Sequence, residues 1–374
     1  MTPKNAFETH VGHFWGLLNT RDYMRARSKL AHELMAIGTL DGVSEALSHV
    51  MDMLRLNRSD NMGLRTIIPG LLIRLDRDQE CYDFIKWWAT CDFDGDDMSK
   101  PYLDLHGADA LEDDMDWLTG EFPDFYHLVA ILLLKLKMMV DTRNTKVARK
   151  VLDKSSLPGK LWEPIELATL RSPLSVPFCK LKNNAELARM EVRLLHQIRR
   201  LGAAVTRAND QFMLYLLGDS DDLDEMLEAR PESYSSGSWE EAALALQSCY
   251  AALWETEGVL PMLFDAKACA GADSEREIRE IWMEDDRARK GRSFEQLLSD
   301  VSTNRVWGYL DYAVENAAWL GPSDERPSQK HTKENQKAWE EAIAEEAEFE
   351  RDLEEFGSKE ESDEGSDGDE IIYF

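Results

Sequence analysis

This chain has few of the features that announce chemistry. Its five cysteines, Cys81, Cys91, Cys179, Cys249 and Cys269, are widely spaced and odd in number. They include no CxxC pair, which excludes the usual zinc-finger spacing, and they argue for free thiols in a reducing compartment against a disulfide framework. No GxGxxG, GxxxxGKS/T or GxSxG occurs, so the common dinucleotide, nucleotide-triphosphate and hydrolase-elbow signatures are missing. No long apolar run is present either: the best candidate, "LVAILLLKLKMMV" at 128–140, is too short and is interrupted by Lys135 and Lys137. It reads as a buried helix. The opening "MTPKNAFETHVGHFW" lacks both the apolar core of a secretory signal and the Arg-rich character of a transit peptide, so residence in the cytoplasm or nucleus is expected, with no membrane partner.

Three near-motifs fail on inspection. His32 and Glu33 begin an HExxH, but Ala36 stands where the second histidine belongs. His10 and His13 form an HxxH with only Glu8 nearby as a further ligand. The run "CDFDGDDMSKPYL" starts like an EF-hand loop, yet Asp97 replaces the turn glycine, Leu103 the bidentate acid, and Pro101 intrudes. No catalytic residue, metal site or cofactor is therefore expected.

What the chain does have is charge and helical periodicity. Its 374 residues carry a formal net charge of −29, and 43% are hydrophobic, enough for a sizeable core. The charge is uneven. Residues 340–370 hold sixteen acidic residues against two basic, whereas residues 135–207 hold sixteen basic against six acidic. The basic middle is a natural target for an acidic partner or for the chain's own tail.

From Thr20 to Trp88 the periodicity is helical. "TRDYMRARSKLAHELMAIG" predicts a helix with Thr20 as cap, a face of Tyr23, Ala26, Leu30, Leu34 and Ile37, and Gly38 as stop. A second helix opens near Asp41 and carries Val43, Ala46, Leu47, Val50, Met51 and Leu54. A third over 61–75 should kink or break at Pro69, and a fourth covers 78–89. Helix pairs of this length, closing on "LRLNRSD", resemble the tetratricopeptide (TPR) pattern, with Ala46 and Cys81 at its small-residue positions and Arg58 where the motif has proline. The resemblance covers about residues 20–90 and extends to 232–265. It implies an all-α, TPR-like superhelix whose concave face binds protein partners.

Downstream, 91–122 reads as an acidic insertion between helix pairs. The helix starting at Pro123 is expected to pack against an antiparallel partner, "NTKVARKVLDKS", before the proline-rich turns of 155–180. A basic helix follows at 184–201, and capping boxes are predicted at Ser238 with Glu241 and at Ser293 with Gln296. Helices at 275–289, 294–301 and 304–319 complete the fold. The organisation expected is thus an N-terminal segment (1–19), TPR-like hairpins (20–90), the insertion (91–122), a continued helical domain (123–320), and a linker with a disordered acidic tail (321–374) containing one thin helix over 337–356.

Three features nominate partner-binding residues. Lys146, Arg149, Lys150, Arg189, Arg193, Arg199 and Arg200 have spacings that can gather charge on one face of two helices, suited to a carboxylate-rich peptide or a nucleic-acid backbone, or else simply solvated. Trp87 and Trp88 cannot both face the core, so one of them is free to line a groove, and Trp87 is the candidate. The terminal Ile371, Ile372, Tyr373 and Phe374 follow an acidic tract and resemble SUMO-interacting motifs, in which an apolar run adds a strand to a partner sheet. The alternative is that this end packs back onto its own body. Ser358 and Ser366, each followed by an acid three residues on, resemble acidophilic kinase sites. The expected function is a non-catalytic scaffold or adaptor whose tail binds a basic partner or regulates the chain itself. Nucleic-acid binding through 135–207, or an enzyme without a recognisable motif, are the alternatives.

Overall fold

The computed structural model describes residues 4–92, 97–120, 123–181, 183–284 and 291–317. Within them the chain forms sixteen α-helices, short 3-10 turns and one isolated antiparallel bridge between His13 and Asn57, with no strand. The helices are α1 (Ala6–Thr9), α2 (Arg21–Ile37), α3 (Leu40–Leu56), α4 (Ile68–Arg74), α5 (Asp78–Thr90), α6 (Asp116–Thr119), α7 (Phe125–Leu152) and α8 (Trp162–Ala168). They continue as α9 (Val176–Cys179), α10 (Asn184–Ala208), α11 (Phe212–Leu216), α12 (Ser220–Glu228), α13 (Trp239–Glu255), α14 (Val259–Glu284), α15 (Phe294–Arg305) and α16 (Leu310–Asn316). None is long and apolar enough to cross a membrane. The linker, the helix expected over 337–356, Ser358, Ser366 and Ile371 to Phe374 lie outside the described residues.

The α2–α3 hairpin forms as its turn residues dictate. Gly38 takes the left-handed conformation, φ 70°, and ends α2; the Thr39 side chain accepts the Gly42 N–H and starts α3. The buried face of α2 differs from expectation. Met24 and Ala31 are buried while Tyr23 and Leu30 are exposed, because α2 packs chiefly on α3 and needs only a narrow seam. Its Tyr23 side is turned to a polar crosslink instead, in which Arg27 reaches Tyr23 and, on α3, His49 and Asp52.

Pro69 begins a helix and does not kink one. Asp60, at φ 46°, accepts the N–H groups of Leu64 and Arg65 and sets a 3-10 turn, after which α4 starts at Ile68. Pro69 then falls in the first turn, where a missing N–H removes no intrahelical bond. Close approach follows: Cys81 Sγ lies 3.7 Å from the Pro69 carbonyl, and a Cβ on Gly70 would come within 2.2 Å of the Ser248 carbonyl on α13.

The segment expected as an antiparallel partner of α7 belongs to α7 itself, a single 28-residue helix capped by Asp124. No glycine or proline interrupts it after Val140. The hydroxyls of Thr142 and Thr145 bond back to the carbonyls four residues earlier, while Asp141 and Asn144 bond backbone groups of the 169–172 segment that covers them. Every residue from Phe125 to Thr142 is buried, the mark of a helix covered on all sides. Helices α4, α5, α10, α13 and α14 pack around it, and one hydrophobic core extends from Ala6 to Val314. Contacts between elements so far apart in sequence go beyond the neighbour-to-neighbour packing of a repeat superhelix.

The described part of the acidic insertion is bound down onto α5 and α10. Asp83 accepts the N–H groups of Gly107 and Ala108 at 2.8 Å; Tyr82 and Lys86 both donate to Glu112. Gln197 donates to the Glu112 carbonyl, and the buried Lys135 ammonium to the Ala110 carbonyl. At the far end, α14 packs on α15 and α16, and the predicted capping box of Ser293 and Gln296 is present.

Candidate functional site

Two regions contrast most sharply in charge and space; more voluminous hollows lie beside Tyr215 and Glu295, about 580 Å³, and beside Trp88 and Trp117, about 440 Å³. The first is a buried ionic cluster where the α4–α5 turn, α7, the 171–175 loop and the end of α13 meet. Lys137 Nζ lies 2.9 Å from Asp76 and 3.0 Å from Asp78, and Asp78 accepts the Ser172 hydroxyl at 2.6 Å. Arg74 clamps Glu255 with bonds of 2.9–3.1 Å. Asp141 accepts the backbone N–H groups of Arg171 and Ser172, each at 2.9 Å. Burial pushes the Asp141 carboxyl up to about 6 against the opposing pull of those donors. Burial also opposes charge on Lys137, but the Asp78 and Asp76 carboxylates outweigh it and hold the ammonium above its ordinary value. The void at the centre of the cluster measures about 10 Å³, room for one water.

The second region is a groove of about 300 Å³ between α2, the 62–67 turn, the start of α7 and α13. Met35, Met62, Leu64, Ile67 and Leu244 give it an apolar lining; Ser28, His32, Thr66, Tyr126, Tyr234 and Gln247 give it hydrogen-bonding groups. Among the described residues no Asp, Glu, Lys or Arg lines it, although the chain as a whole is strongly acidic. Its walls are fixed. His32 Nδ1 is 2.7 Å from the Ser28 carbonyl, Gln247 donates to the carbonyls of Met226 and Ala229, and the rings of Tyr126 and Tyr234 lie 6.3 Å apart. The Gly70–Ser248 contact sets the separation of α4 and α13 at its base.

Of the tryptophan pair, Trp87 is the buried one. It is 2% exposed, packs edge-on against Trp88 and Tyr102, donates to Asp104 at 3.0 Å, and lines a small hollow of about 130 Å³ with Met51, Phe84 and Leu103. Trp88 is the member that reaches an open hollow, with Trp117, Arg65 and His127. Register does not separate the pair, since Trp87 and Trp88 follow the buried Phe84 by three and four residues and Trp88 meets its ring at 6.3 Å; Tyr102 and Asp104, packed against Trp87, make the difference.

The basic residues do not assemble into one free face. Lys146 pairs with Glu191, Arg149 with Glu166 and the Phe178 carbonyl, and Arg199 with Asp311 and the Trp307 carbonyl. Arg193 and Arg200 are met by Asp113 and Asp116 of the acidic insertion. Lys150 and Arg189 are exposed. The acidic insertion thus neutralises part of the basic block within the fold. The groove had no sequence signal, since four separate segments supply it and methionine and tyrosine at helical spacing read as core. The cluster had one: two lysines inside an apolar helix must find buried partners.

Among the described residues no group of three His, Cys, Asp or Glu side chains is placed to hold a metal ion. Compared with protein-family models, curated proteins and solved structures, the chain has no match.

Proposed function

We propose that this chain is a non-catalytic protein-interaction scaffold of the cytoplasm or nucleus, and that it holds an uncharged, largely aliphatic peptide segment of a partner in the groove between α2 and α13. Helices α2 to α5 act as its TPR-like part, each packed on the next, with Ala46 and Cys81 at close approaches. The observation that carries the reading is a fixed groove of about 300 Å³ with no charged lining on a molecule of net charge −29. Such a lining favours neutral side chains. A charge entering it would lose water and find no counter-ion, whereas methionines adapt to varied apolar shapes. The peptide lies along the groove as a short helix or extended strand with aliphatic anchors, and Thr66, Tyr234 and His32 fix its polar groups. The buried ionic cluster supports binding over catalysis, because its void admits one water and no substrate. The paired state of Arg149, Arg193, Arg199 and Arg200 leaves nucleic-acid binding without a continuous basic face.

The test is selection of random peptides of about twelve residues, long enough to offer three anchors at helical spacing, on the full chain and on a Met35→Lys/Leu244→Lys variant. Enriched peptides should be aliphatic and near neutral, and should lose at least tenfold in affinity on the variant, about 1.4 kcal/mol, at an unchanged melting midpoint. No enrichment, or binding that ignores both substitutions, removes the groove from the reading.

A further inference from the structure

The structure ends its described course beside a surface that the rest of the chain is equipped to cover. At the C-terminal end of α7 and over the packed segments that follow it, Val151, Leu157, Leu161, Leu167 and Val176 are 62, 44, 40, 39 and 38% exposed. They sit on α7, the turns after it, α8 and the start of α9, elements that pack directly on one another, and they stay exposed among the described residues. Four lysines, Lys150, Lys154, Lys160 and Lys180, are exposed on the same segments, and among the described residues none of their ammonium groups has a hydrogen-bond or ion-pair partner. Two exposed acids, Asp153 and Glu163, share the surface, which leaves it net basic on a chain of charge −29.

Apolar groups interleaved with lysines require an occupant that is both apolar and acidic. We infer that this surface docks the chain's own C-terminal segment, with Ile371, Ile372, Tyr373 and Phe374 over Val151, Leu157, Leu161, Leu167 and Val176, and the preceding acids against Lys150, Lys154, Lys160 and Lys180.

Three observations carry this occupant. The first is composition: residues 360–370 contain seven acids and no base and lead directly into the four apolar residues, the complement of the surface in both respects. The second is position. Arg143 on α7 donates to the Ala317 carbonyl at 3.3 Å, so the chain leaves its described part on the helix that carries the surface. Lys150 and Val151 follow Arg143 by seven and eight residues, about 11–12 Å along the helix axis at 1.5 Å per residue. The third is length. A chain of some fifty residues has a root-mean-square span near 40 Å if flexible, ample for that distance. Its tethered end is present at an effective concentration on the order of a millimolar, so contacts too weak to hold a free peptide are sufficient here. Docking in this way hides the apolar terminus from other proteins until a partner displaces it, or until phosphate on the tail alters the charge balance. The inference does not depend on the groove.

Amide hydrogen exchange on the full chain tests it, with a synthetic peptide of residues 360–374 as the unprotected reference. The expected result is exchange at 371–374 slowed by about tenfold or more relative to the peptide, independent of protein concentration, and weakened in high salt as the lysine–acid pairs are screened. Leu161→Asp with Leu167→Asp should return the tip to the peptide rate. Lys154→Glu with Lys160→Glu should do the same, and because those side chains are exposed the melting midpoint should stay in place. A tip that exchanges at the peptide rate in the unmodified full chain overturns the inference. So does protection that survives both double substitutions, which would place the tip elsewhere, and so does protection that grows with protein concentration, which would make the occupant a second copy.

Discussion

The ionic cluster and the groove share helices α7 and α13 and differ in everything else. Helices α4, α7 and α13 contribute Arg74, Lys137 with Asp141, and Glu255 to the cluster, while α7 and α13 contribute Tyr126 and Leu244 to the groove and the turn entering α4 contributes Ile67. Each helix starts at the groove and runs toward the cluster. At one end charge is buried, paired and without space; at the other there is space without charge. An active site requires perturbed ionisable groups and room for a reactant in the same place. Here the two are set apart along the shared helices, from Tyr126 to Lys137 on α7 and from Ser248 to Glu255 on α13, about 10–17 Å at 1.5 Å per residue, so the cluster acts as a staple that holds the helices while their earlier turns form a receptive surface.

The sharpest way to break the comparison is to remove the centre of the staple. Lys137→Met leaves Asp76 and Asp78 without their cation in a buried site, and the expected loss is about 3–5 kcal/mol in denaturant unfolding. A loss below about 1 kcal/mol would mean that water reaches the carboxylates and that the cluster is not a closed staple.

Asp141→Ala comes next. It strands the N–H groups of Arg171 and Ser172, each costing about 1–2 kcal/mol when buried without an acceptor. Asp141 also carries a pH signature. Its folded value is raised to about 6 from an ordinary 3.8, so the folded state binds this proton more tightly than the unfolded chain does. Its contribution is therefore fully present below the unfolded value and is lost as pH rises through about 6. The stability of the wild type relative to Asp141→Asn should rise as pH falls from about 6.5 to 4 and stay flat above 7; a constant difference across that window would show that Asp141 titrates normally.

How far the sequence exposes this arrangement depends on the kind of signal. Helix ends written in local chemistry are legible in part: Gly38, Ser238 and Ser293 act where their residue types say they should, whereas Thr20 makes no capping bond, Thr39 and not Asp41 opens α3, and Glu241 accepts the Gly237 N–H instead of closing the box with Ser238. The all-α class follows from the same periodicity. Pro69 misleads because a helix start and a helix kink look alike until the Asp60 turn is seen. The continuation of α7 is missed because Asp141, Thr142 and Asn144 resemble a polar turn, yet Thr142 bonds back into the helix and Asp141 and Asn144 bond the distant 169–172 segment. The basic zone reads as a binding face because spacing reports where side chains lie on a helix and not what packs over it; Asp113 and Asp116 arrive from a segment 80 residues away. Trp87 and Trp88 are one residue apart, and only the packing partners of α5 decide which is covered. The groove is illegible in principle, since it is a gap left between four segments.

Two smaller perturbations sharpen the comparison without dismantling either end. In Gly70→Ala the new methyl would meet the Ser248 carbonyl, a backbone atom that cannot rotate away, so α4 and α13 must separate at the base of the groove. The cost should be about 1–3 kcal/mol, typical of overpacking. Peptide affinity should change with it, whereas the pH window of Asp141, midway along α7 and away from the groove, should not move.

Leu244→Lys is the mildest change and the most informative about function. Leu244 is only partly buried, so a lysine there can extend its stem along the groove and keep its ammonium in water, and the expected effect on stability is under about 1 kcal/mol. Its effect on an aliphatic ligand is larger, because binding would have to strip water from a charge that meets no acid in the groove. Titration of a groove-selected peptide into both proteins separates the two quantities. Weakened binding at an unchanged melting midpoint would show that the neutrality of the groove is what the ligand recognises. Equal loss of both would mean that Leu244 serves the fold alone, and that the space beside it is a packing gap between α2 and α13.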